Sequence, residues 1–295
     1  MTKKKSEIQF AFFGTPELAA VFLDDLEKDG LMPSLVVTTP DKSKGRGMAV
    51  TPPPVKVWAE KKKIPVLQPE RLDADFLYKL QTTDYDLFVV IYYGKILPRE
   101  IFSMPKHGTI NIHFSLLPRW KGTSPIRAAI LNDDRKVGTS LVLMDEKIDH
   151  GRIIAQKEFH IAVWPPSAKA LEILATHESA KLLRAVIGPW TTGEIEAQEQ
   201  NHDLETMCPT LEKANGLINF ADDPYKNLLK IRALDSTIGT HAFFERNGKK
   251  IRVQILDAHL EGKKLIIDRV KPEGKREMDY KDFLRSGAKP SKNKK

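Results

Sequence analysis

The sequence predicts a doubly wound, Rossmann-like α/β domain followed by a small β-domain. Strand-like apolar runs alternate with helix-like segments over residues 8–188, which is typical of an α/β fold. Two of these runs, residues 87–94 and 109–115, are rich in the β-branched residues of buried parallel strands. After residue 206 the chain instead shows short strand-like runs joined by turn residues. A chain of 295 residues is long enough for both parts.

The elements of the first part follow in order. Residues 8–14, IQFAFFG, predict a buried strand, and a helix follows to about Lys28, with Thr15 as its expected cap. Gly14-Thr15-Pro16 contains one glycine, so neither a G-x-G-x-x-G turn nor a Walker A loop is present, which disfavours an NAD enzyme. Further strands are predicted at 35–39, 87–94, 109–115, 138–144 and 152–159, and helices at 55–63, 72–81, 125–132 and 167–188.

Composition places the domain boundaries. Residues 1–190 form the predicted α/β domain, and residues 191–206, which are polar and acidic, form the predicted linker. Residues 207–285 form a β-domain in which Asn247-Gly248 is the expected hairpin turn. Residues 286–295 are predicted to be a disordered tail.

The positive charge lies in the C-terminal third. Residues 207–295 contain 20 Lys and Arg against 12 Asp and Glu, whereas the whole chain contains 47 against 39, so the residues before 207 are neutral overall. This asymmetry favours contact between the last third and a polyanion. The alternative is a solvated basic surface.

Other features exclude several classes of protein. Apolar stretches of about 18 residues are lacking, so no membrane span is expected. The basic N-terminus leads into a short apolar run and the Gly14 turn, unlike a secretory signal. Cys208 is the single cysteine and excludes an intrachain disulfide. A cytoplasmic protein is the simplest interpretation.

A candidate site lies in NIHFSLLPRWKGTSPI, residues 111–126. Asn111 and His113 are two apart on a strand, so they face the same side, near the strand end where open α/β sheets bind ligands. Pro118 makes the following turn rigid. Asp149, near Gly151 in DEKIDHGRI, is a candidate partner for His113, although Asn-x-His is a weak signal and its spacing alone favours a hydrogen-bonded strand end without a catalytic role.

The same stretches carry a family resemblance. NIHFSLLPRWKGTSPI and KIDHGRI resemble the Asn–His–Asp signature of the formyltetrahydrofolate-dependent formyltransferases. FFGTPELA, PDKSKGRGMAVTPPPVK and LFVVIYYGKILP are similar to the branch of that family that acts on methionyl-tRNA. The resemblance covers most of the chain. It departs at Trp120-Lys121, where the family usually has Tyr-Arg, and in a C-terminal barrel of the oligonucleotide-binding type that looks abridged.

The resemblance implies formyl transfer from 10-formyltetrahydrofolate to the α-amino group of methionyl-initiator tRNA, without a metal. Asn111 and His113 would stabilise the carbonyl oxygen, His113 would move the proton, and Asp149 would orient the imidazole. The tRNA contacts implied for the basic loop are Lys42, Lys44 and Arg46. The implied folate-binding residues are Tyr93, Gly94, Ile96, Leu97, Ser115, Leu116, Leu117 and Pro118.

Two alternatives remain open at this stage. A folate-dependent formyltransferase could use a nucleotide-linked amino sugar as acceptor, but the basic loop and basic last third argue against it. A non-catalytic RNA-binding protein on a retired transferase fold would not need Asn111, His113 and Asp149 together.

Overall fold

The computed structural model describes residues 8–44, 49–234 and 238–291. The chain divides into two compact units. Unit 1 contains residues 1–122, 138–159 and 173–207, and unit 2 contains residues 123–137, 160–172 and 208–295. Across the described ranges, each helix is too short or too polar to cross a membrane.

A mixed β-sheet forms the centre of unit 1. Among the described residues it has seven strands in the order β5-β2-β1-β6-β7-β8-β9. The pairs among the first five strands are parallel, and those of β7 with β8 and β8 with β9 are antiparallel. The strands are β1 (Phe10–Phe13), β2 (Leu35–Val37), β5 (Val66–Leu67), β6 (Leu87–Val90), β7 (Thr109–His113), β8 (Gly138–Leu143) and β9 (Ile153–Glu158).

Apolar helices and strands build the core of this unit. Strands β1 and β6 are buried at every position, as expected for the central strands of such a sheet. One core cluster joins strand residues such as Phe13 and Phe88 to helix residues such as Phe76 and Ile101. The helices contributing to unit 1 are α1 (Glu17–Lys28), α2 (Pro54–Lys61), α3 (Ala74–Leu80), α4 (Arg99–Phe102) and most of α6 (Ala168–Thr192).

The predicted α/β class is confirmed, with two corrections to its details. Strands β8 and β9 run antiparallel because the nine residues between them are too few for a parallel crossover. The expected Thr15 cap is wrong: α1 begins after Pro16 without a side-chain cap. The Thr15 hydroxyl instead donates to the Tyr93 carbonyl at 3.1 Å.

The basic loop contains regular structure. Strands β3 (Lys42–Lys44) and β4 (Ala49–Thr51) form an antiparallel ribbon, with Lys42 opposite Thr51. Residues 45–48, which include the predicted contact Arg46, lie outside the described residues. The sequence predicts only a loop here, because a three-residue strand of lysine and serine carries no hydrophobic alternation.

Unit 2 is built on a five-stranded antiparallel sheet, counted over its described residues, in the order β13-β12-β11-β10-β14. The strands are β10 (Thr240–Arg246), β11 (Lys249–Glu261), β12 (Lys264–Pro272), β13 (Met278–Asp279) and β14 (Lys289–Pro290). Helices α5 (Pro125–Leu131), α7 (Pro224–Ala233) and α8 (Tyr280–Arg285) belong to the same unit. The predicted Asn247-Gly248 hairpin is confirmed, because both residues have positive φ and Arg246 pairs with Lys249.

Two stretches differ from their expected character. Residues 286–291, the described part of the predicted disordered tail 286–295, are ordered, since β14 pairs with β10 and the Ser291 N–H donates to the Phe243 carbonyl at 2.8 Å. Residues 191–206, predicted as a linker, begin inside α6 and then cross unit 1 with regular hydrogen bonds, including two between Gln198 and Ile153. Polar composition concealed this pairing, because the bonds use backbone atoms.

Candidate active site

Three side chains of unit 1 converge at the end of β7. The Asn111 Nδ2 donates to Asp149 Oδ1 at 3.0 Å. His113 Nδ1 lies 3.4 Å from Asp149 Oδ2, and both side chains are less than a tenth exposed. Asn111 and His113 face the same side because they alternate with the buried Ile112 along the strand. The structure therefore brings together the three residues predicted to carry chemistry.

Backbone groups complete the surroundings of this triad. His113 Nε2 lies 2.9 Å from the Trp120 carbonyl, to which it can donate. The Gly122 N–H donates to Asp149 Oδ2 at 2.8 Å. Both imidazole nitrogens thus face oxygen atoms, and the carboxylate is held by three separate groups. This environment fixes the plane of the ring and the orientation of the carboxylate.

Positive backbone φ angles cluster around the site. Trp120 has φ of 57° and Asp149 has φ of 50°, a region that costs a non-glycine residue roughly 1–3 kcal/mol. Gly151 is required nearby, because a Cβ at this position would lie 2.0 Å from the Leu143 carbonyl oxygen. The turn after β7 and the loop after β8 are therefore held in unusual conformations that deliver Trp120 O and Asp149 to His113.

A second polar cluster holds the turn Ser115–Pro118. The Ser140 hydroxyl donates to the Ser115 carbonyl at 2.6 Å and accepts from the Leu117 N–H at 3.1 Å. Gln156 Nε2 donates to Ser140 Oγ at 2.8 Å and to the Leu117 carbonyl at 2.9 Å. Ser140 and Gln156 are directly opposite each other on β8 and β9. Sequence reasoning missed both, although a polar residue facing inward on a buried strand is a detectable signal.

The predicted folate-binding residues divide by burial. Tyr93 and Leu97 belong to the apolar core, so only their backbone groups are available to a ligand. Gly94 is exposed with φ of 83°, and Ile96 is 84% exposed. The remaining four lie in the turn after β7, with the side chains of Ser115 and Leu117 buried and those of Leu116 and Pro118 partly exposed.

The predicted tRNA contacts are described only in part. Lys42 is exposed on β3, where it pairs with Thr51. Lys44 ends the same strand, and Arg46 lies outside the described residues. The structure brings Lys42 and Lys44 onto one antiparallel ribbon.

Lys121 is a further charged residue at the site that sequence reasoning did not assign. It is only 2% exposed, and its Nζ donates to Glu205 at 2.6 Å. His202 Nδ1 lies 3.3 Å from the same nitrogen. The hydrogen bond from Lys121 lowers the pKa of Glu205 below its usual value. The departure from the family's usual arginine at this position was the signal in the sequence.

The arrangement supplies parts of an acyl-transfer site. An amide N–H and an imidazole on one strand face can donate to an oxygen that gains charge, and a fixed carboxylate can hold the imidazole for proton transfer. Asn111 and His113 come from strand β7, and Asp149 comes from the loop after β8, whose backbone is already constrained, which reduces the reorganisation needed during reaction.

Comparison with known proteins gives the family. A family model described as formyl transferase matches residues 7–187. A methionyl-tRNA formyltransferase of Thermotoga neapolitana is 38% identical over 83% of this chain and 78% of its own, and one of Myxococcus xanthus is 35% identical over 95% of each. A Clostridium thermocellum methionyl-tRNA formyltransferase structure superposes with TM-score 0.57 at 17% identity, covering 90% of this chain and 98% of its own.

Sugar-modifying enzymes share the same fold. A sugar N-formyltransferase structure from Shewanella superposes with TM-score 0.62 at 16% identity, covering 86% of this chain and 99% of its own. Structural similarity at this identity therefore establishes the fold without separating the two kinds of acceptor. The family assignment depends instead on the matched residues 7–187 and on the relatives above 30% identity. This chain belongs to the formyl transferase family.

Proposed function

We infer that this protein is a methionyl-tRNA formyltransferase. The observation that carries the inference is the 35% identity to the Myxococcus xanthus enzyme over 95% of both chains, which includes the C-terminal unit as well as the catalytic one. The acceptor is the α-amino group of methionyl-initiator tRNA, and the donor is 10-formyltetrahydrofolate. The product, formylmethionyl-tRNA, serves translation initiation in the cytoplasm.

The chemistry assigns a role to each member of the triad. The neutral amine attacks the formyl carbon, a new N–C bond forms, and the carbonyl oxygen becomes negative. Asn111 and His113 stabilise that oxygen once His113 Nε2 exchanges the Trp120 carbonyl for the substrate, each donor contributing roughly 3–4 kcal/mol by comparison with other oxyanion sites. As the bond to the folate nitrogen breaks, His113 passes the proton from the amine to that leaving nitrogen. Asp149, 3.4 Å from His113 Nδ1, keeps the ring aligned.

Domain roles follow the same proposal. Residues 1–190 hold the catalytic machinery, and the exposed backbone around Gly94 and the turn Ser115–Pro118 edge the pterin pocket. Residues 207–285, a small barrel of the oligonucleotide-binding type, clamp the tRNA backbone. Support comes from the charge: residues 207–295 carry 20 basic against 12 acidic side chains. Lys42, Lys44 and Arg46 contact the acceptor end.

An acceptor competition tests the function. The purified protein is given 10-formyltetrahydrofolate with charged initiator tRNA, charged elongator tRNA, free methionine or a nucleotide-linked amino sugar. Formyl transfer to charged initiator tRNA, far above the other three, is the expected result. Preferred transfer to the amino sugar would replace this function with the sugar-modifying alternative, which the shared fold makes the natural second candidate.

The proposed tRNA contact of Arg46 is tested by Arg46→Ala, with Lys79→Ala as the matched control because Lys79 is exposed on helix α3. Arg46→Ala is expected to raise KM for methionyl-tRNA several-fold while leaving affinity for the formyl donor unchanged. The control should match the unaltered protein in both measurements. Equal KM values for Arg46→Ala and the control would remove Arg46 from the tRNA interface.

A further inference from the structure

The segment Gln198–Met207 contacts the turn after β7 and the loop after β8, and its first half holds that second loop, which carries Asp149. Gln198 and Ile153 exchange two backbone hydrogen bonds of 2.8 Å. Gln200 is 6% exposed, and its Nε2 donates to the Asp149 carbonyl at 2.9 Å and to the Gly151 carbonyl at 2.7 Å. One buried amide therefore bridges the two residues that flank His150, directly at the positive-φ position of Asp149.

The second half of the segment holds the turn after β7. Thr206 Oγ1 accepts from the Trp120 N–H at 2.9 Å, and the Thr206 carbonyl accepts from the Lys121 N–H at 2.8 Å. The Thr206 N–H donates to the Pro118 carbonyl at 3.3 Å. A single threonine thus uses its hydroxyl, its N–H and its carbonyl to hold three residues of one turn.

The Lys121 side chain also connects the turn to the segment Gln198–Met207. A buried ammonium group is costly unless it is paired, and Glu205 provides that pair at 2.6 Å. Glu205 directly precedes Thr206 in the chain. The ion pair and the Thr206 hydrogen bonds therefore hold the same turn, at Lys121, against the same two residues of the segment. His202 Nδ1, 3.3 Å from the Lys121 ammonium, adds a third contact from the segment.

The turn and the loop held by the two halves of the segment both contact His113 or Asp149. The turn supplies Trp120 O to His113 and the Gly122 N–H to Asp149, and the loop after β8, which Gln200 holds, supplies Asp149 itself. We propose that Gln198–Met207 is a positioning strap for the triad, with Thr206 and Gln200 as its positioning residues. The proposal rests on the proposed function, because it concerns formyl transfer by Asn111, His113 and Asp149.

The strap makes a prediction that a simple structural tie does not. Removing a purely structural tie would lower stability and would reduce activity only by increasing the fraction of unfolded protein. A positioning strap acts on the geometry of bound reactants, so its removal lowers kcat in folded enzyme and leaves KM for the formyl donor nearly unchanged. Misplacement of catalytic groups by about 1 Å can cost roughly 100-fold in rate.

Thr206 allows a matched pair of variants. Thr206→Val keeps the volume and removes the acceptor for the Trp120 N–H, and Thr206→Ser keeps the acceptor. Asp203→Asn is the control, because Asp203 is exposed on the same segment. In the full chain, kcat, KM for both substrates and the thermal midpoint are measured. Thr206→Val is expected to lose about tenfold or more in kcat, with Thr206→Ser and the control within about twofold of the unaltered enzyme.

The outcomes distinguish failure of the strap from failure of the function. If the unaltered protein fails to formylate methionyl-tRNA, the proposed function is wrong. If it does so and folded Thr206→Val keeps full kcat, or Thr206→Ser loses as much as Thr206→Val, the strap is overturned and the function stands. Should Thr206→Val not fold, Gln200→Met provides the same test from the other half, since it removes the donor to the Asp149 and Gly151 carbonyls.

Discussion

The triad region of unit 1 and the antiparallel sheet of unit 2 use charged and polar side chains in opposite ways. Around His113 such groups are buried and paired at close range, as Asp149 and Lys121 illustrate. On β11 and β12, by contrast, Lys249, Lys250 and Lys264 are exposed to solvent. The first arrangement fixes positions, and the second supplies a diffuse positive surface.

This difference separates geometric from electrostatic function. A buried group with several partners loses its role when any partner moves, so single substitutions should have large, non-additive effects. An exposed charge contributes a small increment that salt screens, so substitutions should add and should weaken at high ionic strength. The largest effect is expected in the buried, paired arrangement and the next in the exposed basic surface. Smaller effects are expected at Glu178 and Tyr93, which belong to neither arrangement.

The largest effect is expected at His113. His113→Ala should lower kcat by about two orders of magnitude or more, because it removes a donor to the developing oxyanion and the proton carrier. Asp149→Asn should act through the same ring, so adding it to His113→Ala should cost little more. Single-turnover formyl transfer by the two single variants and the double variant gives the coupling. A double variant far slower than His113→Ala would mean that Asp149 acts on the substrates independently.

The next effect concerns the basic sheet. Replacing both Lys249 and Lys264 by Gln should weaken tRNA binding several-fold, and the slope of log affinity against log salt should become shallower by roughly one for each phosphate that is no longer neutralised. Affinity is measured across a salt series, with Lys79→Gln on α3 as control. An unchanged slope would show that this surface is merely solvated, leaving the ribbon Lys42–Thr51 as the proposed tRNA-binding element.

Much of unit 1 was accessible from sequence because its signals are local. Apolar runs placed six of its strands, and the spacing of Asn111 and His113 placed them on one face. The approach of Asp149 to His113 was not accessible from spacing, since it depends on a positive φ angle and on the Gly122 N–H. The strap was missed for a related reason: backbone bonds from Gln198 and Thr206 leave no pattern in a polar stretch.

A smaller effect is expected at Glu178, whose carboxylate is partly covered. Lys157, at 2.5 Å, and Lys181, at 2.8 Å, hydrogen-bond to it and lower its pKa. Such a carboxyl stabilises the folded state above its unfolded pKa, and the contribution is lost as pH falls through the lowered folded pKa. Glu178→Gln should therefore reduce stability by up to about 1 kcal/mol at neutral pH. Thermal midpoints across pH should converge in acid.

Glu60→Gln is the matched control for that measurement, because Glu60 is exposed on α2. It should leave the midpoint unchanged at every pH. If the thermal midpoints of Glu178→Gln and the unaltered protein still differ in strong acid, the cause is weaker packing of α6 rather than a missing charge. Glu178 would then act as a buried, position-fixing group like those around His113.

The smallest effect, and the one opposite in sign, is expected at Tyr93. Burial raises the pKa of its phenol to about 12, and among the described residues its buried hydroxyl has no hydrogen-bond partner. The ring packs edge-on against Phe13, with centroids 5.4 Å apart, so Tyr93→Phe keeps that contact. Removing an unsatisfied buried hydroxyl should leave stability unchanged or raise it by up to about 1 kcal/mol.

The formyl donor provides the second measurement on this variant. Since the Tyr93 side chain lies in the core, a folate contact at this position would use backbone atoms, and Tyr93→Phe should leave KM for the donor unchanged. A raised KM together with lowered kcat would show that the hydroxyl reaches the substrate. Tyr93 would then be a buried group whose hydrogen-bond partner is the substrate itself. The large effects expected for buried, paired groups around His113 would then be expected in the folate pocket as well.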